Sequence, residues 1–431
     1  MPGKVLLGLD PGAVRDLSAN LGGGTLLISA TNGKTTTTRL VAGALRADGR
    51  QVVTNAAGAN LLSGVATALA EAAPHSGSGA CGAFEVDEAA LPAVADAVRP
   101  SALLLMNLFR DQLDRHGELE SIATRWAQML GGLHPKPTLV VCGDDPLLAS
   151  LPSPDARVLW FGIDDASAGA PGLSHASDST TCRRCDSPLR YRHAWIGHIG
   201  DWLCPSCGLT RPRPDVAVID AGLDGAAGSH PVMRTPEGAV RIDLALPGLH
   251  NVLNAAGALA AAIAMGVPAT DAAAAISGVQ AAFGRSERVR VDGREMVMLL
   301  AKNPAGANEN VRTLMLDDGE HDLLVALNDR IADGRDVSWI WDVDWEPVLA
   351  RVRRLTATGE RAHDLALRFR YAGLPEDRLH VVPDPVAALD GALAALPQGQ
   401  VLAVLPTYTA MHQIRADLVA RGAAGEFWDA T

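Results

Sequence analysis

An apolar run from Thr25 to Ala30 leads straight into Thr31-Asn32-Gly33-Lys34-Thr35-Thr36, and this junction most limits what the chain can fold into. A buried strand feeding a Gly-Lys-Thr turn and a Thr-rich helix start is the layout of a phosphate-binding loop. Backbone N–H groups, the positive end of the helix and the lysine ammonium together hold the phosphates of a nucleoside triphosphate. Lys34 is the candidate phosphate cation and the Thr35 hydroxyl a candidate magnesium ligand, with Asn32, Gly33 and Thr36 completing the turn. One departure stands out: the general pattern places a glycine five residues before Gly33, where this chain has Ile28.

The rest of the chain reads as α/β. Hydrophobic residues make up 48% and aromatics only 4%, which suits Ala-rich helices packed on Val- and Leu-rich strands. At 431 residues the chain exceeds one domain of roughly 100–200 residues, so two or three are expected. A net charge of −12 works against nonspecific nucleic-acid binding, which needs basic surface to release counterions. The longest apolar stretch, Ala255 to Val267, is interrupted by Gly257 and Gly266 and falls short of the ~18–20 residues of a membrane span, so no transmembrane segment is expected. Val5 to Leu9 gives way at once to Asp10-Pro11, too short a core for a signal peptide, and the protein reads as cytoplasmic.

Leu103 to Asn107 and Leu139 to Cys142 read as buried strands with a helix, Leu119 to Leu130, between them. Val240 to Leu246 looks strand-like, and an Ala-rich helix follows from Asn251. After Phe283-Gly284-Arg285 the alternation restarts. Met296 to Ala301, Leu323 to Leu327, Ser338 to Trp341, His380 to Val382 and Val401 to Leu405 are the expected strands, with a helix over Ala362 to Tyr371. Residues 1–285 are read as an ATP-binding domain and 286–431 as a Rossmann-like domain.

Within the first domain, about residues 178–214 form an insertion with two Cys-x-x-Cys pairs. Cys182 and Cys185 are followed, after 18 residues, by Cys204 and Cys207. This is the spacing of a four-thiolate zinc ribbon; a redox pair is the competing reading. Sulfur at all four positions leaves the metal no open site for water, so its role would be structural. The neighbouring Arg183, Arg184, Arg190, Arg192 and His193 form either a contact for an anionic partner or a solvated face. Cys81 falls one residue short of a nucleophile elbow, and Phe84-Glu85-Val86 after it reads as a strand where an elbow needs a helix. Cys142 reads as a small buried hydrophobe.

Five segments resemble, in order, the ATP-dependent Mur ligases. They are Thr31 to Thr36, Asn55 with Gly58-Ala59-Asn60, Glu85 to Glu88, Asn107 to Gln112, and Gly248 to Asn254. The ribbon, Lys302-Asn303-Pro304 and the run from Asp336 to Asp342 resemble more closely the MurT-type subunits of lipid II isoglutaminyl synthases. Those ligases usually carry glycine where this chain has Ala30. The resemblance implies a Mur ligase-like central domain with ATP, Mg2+ and Zn2+ as cofactors. Glu85 joins Thr35 as a magnesium ligand, and Asn55, His250, Asn251, Asn254 and Arg285 line the nucleotide site. Unaided, Asn251 is also a helix cap and Arg285 also a boundary ion pair.

The implied reaction converts the α-carboxyl of D-glutamate in the lipid II stem peptide to D-isoglutamine through an acyl phosphate, in peptidoglycan synthesis at the inner face of the membrane. The phosphate loop begins about 30 residues in, which leaves no room for a domain binding a nucleotide-linked precursor and fits a lipid-borne substrate. Ammonia would come from a GatD-like glutaminase subunit in a heterodimer, with this chain supplying the acidic member of its triad. Asp342 is the first candidate, with Asp336 and Asp344 as competitors. Trp339, Trp341 and Trp345, at spacing two, share a face in the expected strand and are either core or a partner-binding patch. A stand-alone ligase of the Mur or folylpolyglutamate type and a zinc-ribbon regulatory module are the alternative functions.

Overall fold

The computed structural model describes residues 2–425 except 56–58, 75, 76, 78, 111–118, 154, 171, 172, 174–176, 226 and 280–284. The motif positions Gly58, Asp111, Gln112, His116, Gly117, Glu118, Phe283 and Gly284 lie outside the described residues, as does the Arg285 side chain.

The first sheet begins with β1 (Thr25–Ser29), β2 (Val52–Val53), β3 (Cys81–Val86), β4 (Ala102–Leu105), β5 (Thr138–Cys142) and β6 (Val158–Ile163). The insertion follows, with hairpin strands β7 (Arg190–Ile196) and β8 (Ile199–Leu203), and then β9 (Val216–Asp220) returns to the sheet. A short pair, β10 (Leu223–Asp224) and β11 (Gly228–Ser229), precedes β12 (Val232–Thr235) and β13 (Gly238–Arg241). The spatial order is β13-β12-β9-β6-β5-β4-β1-β3-β2, parallel throughout except where β12 joins β9 and β13.

This order explains where the site lies. Strand β1 is flanked by β3 on one side and β4 on the other, with Leu27 opposite both Phe84 and Leu103. The strand order reverses there, and the crevice at the carboxyl ends of such strands is where open α/β sheets bind ligands. Every residue of β1 is buried, as an unbroken apolar run in a two-sided parallel sheet demands. Leu26, Leu27 and Ile28 are wholly enclosed, and each contributes about 1.5–3 kcal/mol of burial.

Helix Leu249–Ala264 lies across the sheet, buried over nearly its whole circumference because seven of its 16 residues are alanine and only His250, Asn251 and Asn254 are polar. At Gly257 an added Cβ would stand 3.1 Å from the Phe161 ring, so glycine there sets how near the helix comes to β6.

The second sheet contains β14 (Arg285–Val291), β15 (Arg294–Leu299), β16 (His321–Ala326), β17 (Val352–Thr358), β18 (Leu379–Val381) and β19 (Val401–Pro406). Its order is β14-β15-β19-β16-β17-β18, antiparallel only at the β14–β15 hairpin. Separate apolar clusters cover its two faces, one around Trp345 and Phe369 and the other around Met298 and Ile414.

The expected strand Ser338 to Trp341 is instead a 3-10 helix, Ser338–Asp342. The Asp336 carboxylate accepts the Ser338 N–H at 2.8 Å, and this local turn overrides the strand preference of the aromatic residues. The three tryptophans consequently do not share a face. Trp345 is buried against Phe369, Trp339 is half-buried, and Trp341 is 46% exposed. The strand expected over Val240 to Leu246 ends at Arg241, after which Leu244 makes only an isolated bridge to Ser229.

Candidate functional site

The loop after β1 is fixed from the side by the segment that follows β4. Asn107 grips the Asn32 peptide twice, accepting its N–H at 2.9 Å and donating to its carbonyl at 2.9 Å. The Thr31 hydroxyl donates to the Phe109 carbonyl at 3.2 Å and accepts the Phe109 N–H at 3.0 Å. Gly33 turns the chain into helix Lys34–Ala47 with φ of 91°, a left-handed conformation that strongly favours glycine. The first-turn N–H groups of such a helix have no carbonyl partner within it, which makes the turn an anion cradle.

Lys34 is buried and points back over the loop, donating to the Ala30 carbonyl and, at 3.3 Å, to that of Thr31. Its Nζ also donates to Glu88 Oε2 at 2.8 Å. Burial pushes the Glu88 carboxyl up, but the ammonium groups of Lys34 and Lys302 outweigh it and hold the group below its ordinary value. Glu88 lies just past β3 in the Glu85 to Glu88 motif, and Trp126 Nε1 donates to its carbonyl at 2.9 Å. Sequence reading gave the motif's magnesium role to Glu85 and no role to Glu88. The available signal was the carboxylate two residues beyond the end of a strand that neighbours β1.

Glu85 is buried in β3, opposite Ile28 of β1. Asn55 uses its side-chain amide to hold the Glu85 backbone, accepting the N–H at 3.0 Å and donating to the carbonyl at 2.9 Å. Thr35 and Thr36 occupy the first turn of the helix, the former half-buried and the latter buried. A carboxylate and a hydroxyl are the hard oxygen donors that magnesium accepts, so the residues fit that ion.

Helix Leu249–Ala264 meets the loop at its N-terminal end. A Cβ built on Gly33 would stand 2.2 Å from Asn254 Oδ1, so this asparagine rests directly on the turn. Asn254 donates to Asn251 Oδ1 at 3.3 Å, and Asn251 donates to the Pro247 carbonyl at 2.8 Å. His250 Nδ1 stands 4.0 Å from Glu309 on helix Pro304–Met315. Glu309 is buried and its carboxyl is raised by that burial, against the opposing pull of Arg312.

The second sheet's domain therefore reaches the phosphate loop. Asn303 caps helix Pro304–Met315 by accepting the Gly306 N–H at 2.9 Å, and its side chain exchanges hydrogen bonds of 3.1 and 3.3 Å with Asn32. Arg285 opens β14, opposite Leu299. Asp336 and Asp342 are both exposed and flank the 3-10 helix; the Ser338 hydrogen bonds hold the Asp336 carboxyl below its ordinary value. Their segment is tied to the same helix, since Asn308 Oδ1 accepts the Asp344 N–H at 2.8 Å. Neither aspartate is placed in the phosphate loop's hydrogen-bond network.

In the insertion, the four sulfurs of Cys182, Cys185, Cys204 and Cys207 lie within 4.8 Å of one another. Two of the separations are 3.6 Å, Cys182 to Cys207, and 3.5 Å, Cys185 to Cys204. Zinc–sulfur bonds of about 2.3 Å in a tetrahedron place sulfurs about 3.8 Å apart, so the cluster is compatible with that ion. The two knuckles repeat one backbone design, with left-handed Asp186 and Gly208 directly after the second cysteine of each pair. Of the neighbouring basic residues, Arg192 is spent on Asp201 in a bidentate pair of 2.8 and 2.9 Å. Cys81 is wholly buried in β3 and its thiol is raised by that burial, which removes it as a nucleophile.

Comparison with known proteins agrees with this geometry. The Mur ligase middle domain profile matches residues 28–193 and the MurT ligase C-terminal profile matches residues 300–411. The lipid II isoglutaminyl synthase (glutamine-hydrolyzing) subunit MurT of Streptococcus pneumoniae is 31% identical over 98% of this chain and 92% of its own length. The subunit of the same name from Staphylococcus aureus is 29% identical over 86% of this chain and 82% of its own. Among solved structures, MurF of Acinetobacter baumannii superposes with a TM-score of 0.70 at 18% identity, covering 95% of this chain and 79% of that one. Mycobacterium tuberculosis folylpolyglutamate synthase gives a TM-score of 0.64 at 17% identity over 96% and 95% of the two chains. The fold is that of the Mur ligases, and the chain belongs to their MurT subunit family.

Proposed function

We propose that this chain is the ligase subunit of a lipid II isoglutaminyl synthase, amidating the α-carboxyl of D-glutamate in the stem peptide with ammonia from a glutaminase partner. The observation that carries the reading is the buried Lys34–Glu88 pair at the switch point of a MurT-family sheet. Residues 1–285 act as the ATP-binding domain and 286–431 as the domain that closes on it.

The substrate carboxylate is a poor electrophile until one oxygen becomes a leaving group. That oxygen attacks the γ-phosphorus of ATP, the bond to ADP breaks, and an acyl phosphate forms. Ammonia nitrogen then attacks the acyl carbon, the carbon–oxygen bond breaks, phosphate departs with the former carboxylate oxygen, and nitrogen loses a proton. Lys34 and the loop N–H groups, with Asn32, Gly33 and Thr36, hold the transferring phosphate and neutralise its charge. Magnesium held by Thr35 and Glu85 would supply further charge neutralisation. Asn55 positions Glu85, while His250, Asn251 and Asn254 address the nucleoside and Arg285 the phosphates. Zinc held by the four cysteines would be structural.

Glutaminase docking is assigned to the 3-10 helix surface. Trp341 meets the 75% exposed Tyr371 edge-on at 5.6 Å, and Leu367 is 49% exposed. Asp342, directly after Trp341, or else Asp336, completes the partner's triad. The complex works at the inner face of the membrane; among the described residues no helix is long and apolar enough to cross one. Lipid II carrying 18O in its glutamate α-carboxylate tests the chemistry. One label should pass to inorganic phosphate per amide formed, and unlabelled phosphate would overturn the acyl phosphate.

A further inference from the structure

The insertion, entered after β6, packs on the segment that follows β5, where the Gly200 N–H donates to the Asp144 carbonyl at 2.9 Å. Asp178, at its start, accepts the Arg110 N–H at 2.9 Å and forms an ion pair with the Arg110 guanidinium. His198, in the turn between β7 and β8, is completely buried and its ring lies 4.6 Å from that of Phe109. Its Nε2 stands 3.6 Å from Asp145, whose carboxylate accepts the Leu108 N–H at 3.0 Å and caps helix Pro146–Ala149. Insertion residues therefore hold one side of segment 108–110, Asp178 through Arg110 and His198 by packing on Phe109. Phe109 and the preceding Asn107 make five hydrogen bonds that shape Thr31 and Asn32.

We propose that Asp178 and His198 are positioning residues for the phosphate loop, and that through them the metal state of the four-cysteine cluster sets the affinity for ATP. The physical reason lies in the size of the ribbon. The two knuckles have little besides the bound ion to fix them, whereas the inner end of the hairpin, Trp195, Ile196 and Ile199, belongs to the first domain's core. Loss of the ion loosens the knuckles and the outer end of the hairpin, so Asp178 and His198 are held less firmly. Phe109 is then packed less tightly, and the segment that fixes Thr31 and Asn32 gains freedom that must be given up again when phosphate binds. Arg211 anchors the ribbon's exit to Asp144 at 2.6 Å and to Asp164 at 2.9 Å, so the sheet itself stays intact.

The inference rests on the ATP site assigned above, and its test is separable from that assignment. Binding of a non-hydrolysable ATP analogue with magnesium is measured by calorimetry on the full chain, before and after treatment with a chelator selective for zinc over magnesium. Hydrogen exchange is followed in parallel. Affinity is expected to fall roughly tenfold on metal removal, the effect of losing one or two positioning hydrogen bonds. Exchange should rise in residues 30–34 and 107–110 as well as in the ribbon. Asp178→Ala and His198→Ala, still holding one zinc per chain, should weaken the analogue three- to tenfold and raise the KM for ATP while leaving that for ammonium unchanged. Asp178→Asn and His198→Phe, which keep the acceptor and the ring, should restore most of the affinity. Unchanged affinity in the metal-free chain, with faster exchange confined to residues 179–210, would overturn the proposal. Absence of analogue binding to the untreated chain would instead overturn the ATP site.

Discussion

Lys34 Nζ and Glu88 Oε2 are 2.8 Å apart at the carboxyl ends of β1 and β3, with 10% and 7% of their side chains exposed. A buried ammonium cannot stand alone, and in this pocket it has a carboxylate as its counter-ion. In the proposed function ATP brings phosphates to the same cation, and Glu88 then sets how strongly Lys34 is drawn toward them.

Removing either partner should separate binding from stability. Lys34→Ala is expected to abolish turnover, because phosphoryl transfer depends on charge placed at the phosphate. Glu88→Gln keeps the volume but strands the lysine, and should cost about 3–5 kcal/mol of unfolding free energy in the ATP-free chain. Denaturant unfolding with and without nucleotide checks this, with the deficit shrinking when ATP is bound.

Gly33 carries two constraints that a pair of substitutions resolves. Gly33→Ala adds a Cβ 2.2 Å from Asn254 Oδ1 at a φ of 91°, and should abolish binding of an ATP analogue. Adding Asn254→Ala removes the collision but leaves the left-handed strain of about 1–2 kcal/mol, so binding should return only in part. Calorimetry on the two variants is the measurement.

The phosphate loop, the ribbon and most strands could be read from the sequence because each rests on local pattern. Thr25 to Ala30 is an apolar run of strand length, and two Cys-x-x-Cys knuckles have a fixed geometry. Helix Ala362–Tyr371 fell where its pattern put it. What escaped depends on contacts between distant residues. Glu88 matters because β3 lies beside β1, and Asn303 because the second domain touches Asn32 across 271 positions. His198 gained no role from the sequence, because its place depends on the ribbon folding inward onto Phe109. The 3-10 helix at Ser338 was missed because an aspartate turn outweighed the strand preference of Trp339 and Trp341.

The pH dependence of stability should carry a signature of Asp144. Burial raises its carboxyl from 3.8 to about 6 despite the opposing Arg211 guanidinium. The folded state then holds the proton more tightly than the unfolded one. Its contribution is complete below pH 3.8 and is lost as pH rises to about 6. Unfolding free energies of wild type minus those of the Asp144→Asn variant should therefore decline across that window and level off above it.

The exposed aromatic pair tests the partner assignment without touching the ATP site. Trp341→Ala and Tyr371→Ala should weaken association with the glutaminase subunit about tenfold or more, as expected when anchoring aromatics of an interface are truncated, and leave ammonium-driven amidation unchanged. Asp342→Asn should keep association and abolish glutamine-driven turnover alone. If Asp336→Asn shows that pattern instead, the triad assignment passes to Asp336. Surface titration and the two nitrogen sources distinguish the cases.

The central claim is that this chain activates a lipid-borne carboxylate and depends on a separate subunit for ammonia. The most direct measurement combines the chain with ATP, magnesium and lipid II, and supplies nitrogen as ammonium or as glutamine. The account predicts D-isoglutamine with ammonium, none with glutamine alone, and full activity with glutamine once a glutaminase subunit is added. Amidation from glutamine by the isolated chain, or no amidation under any of these conditions, would contradict it.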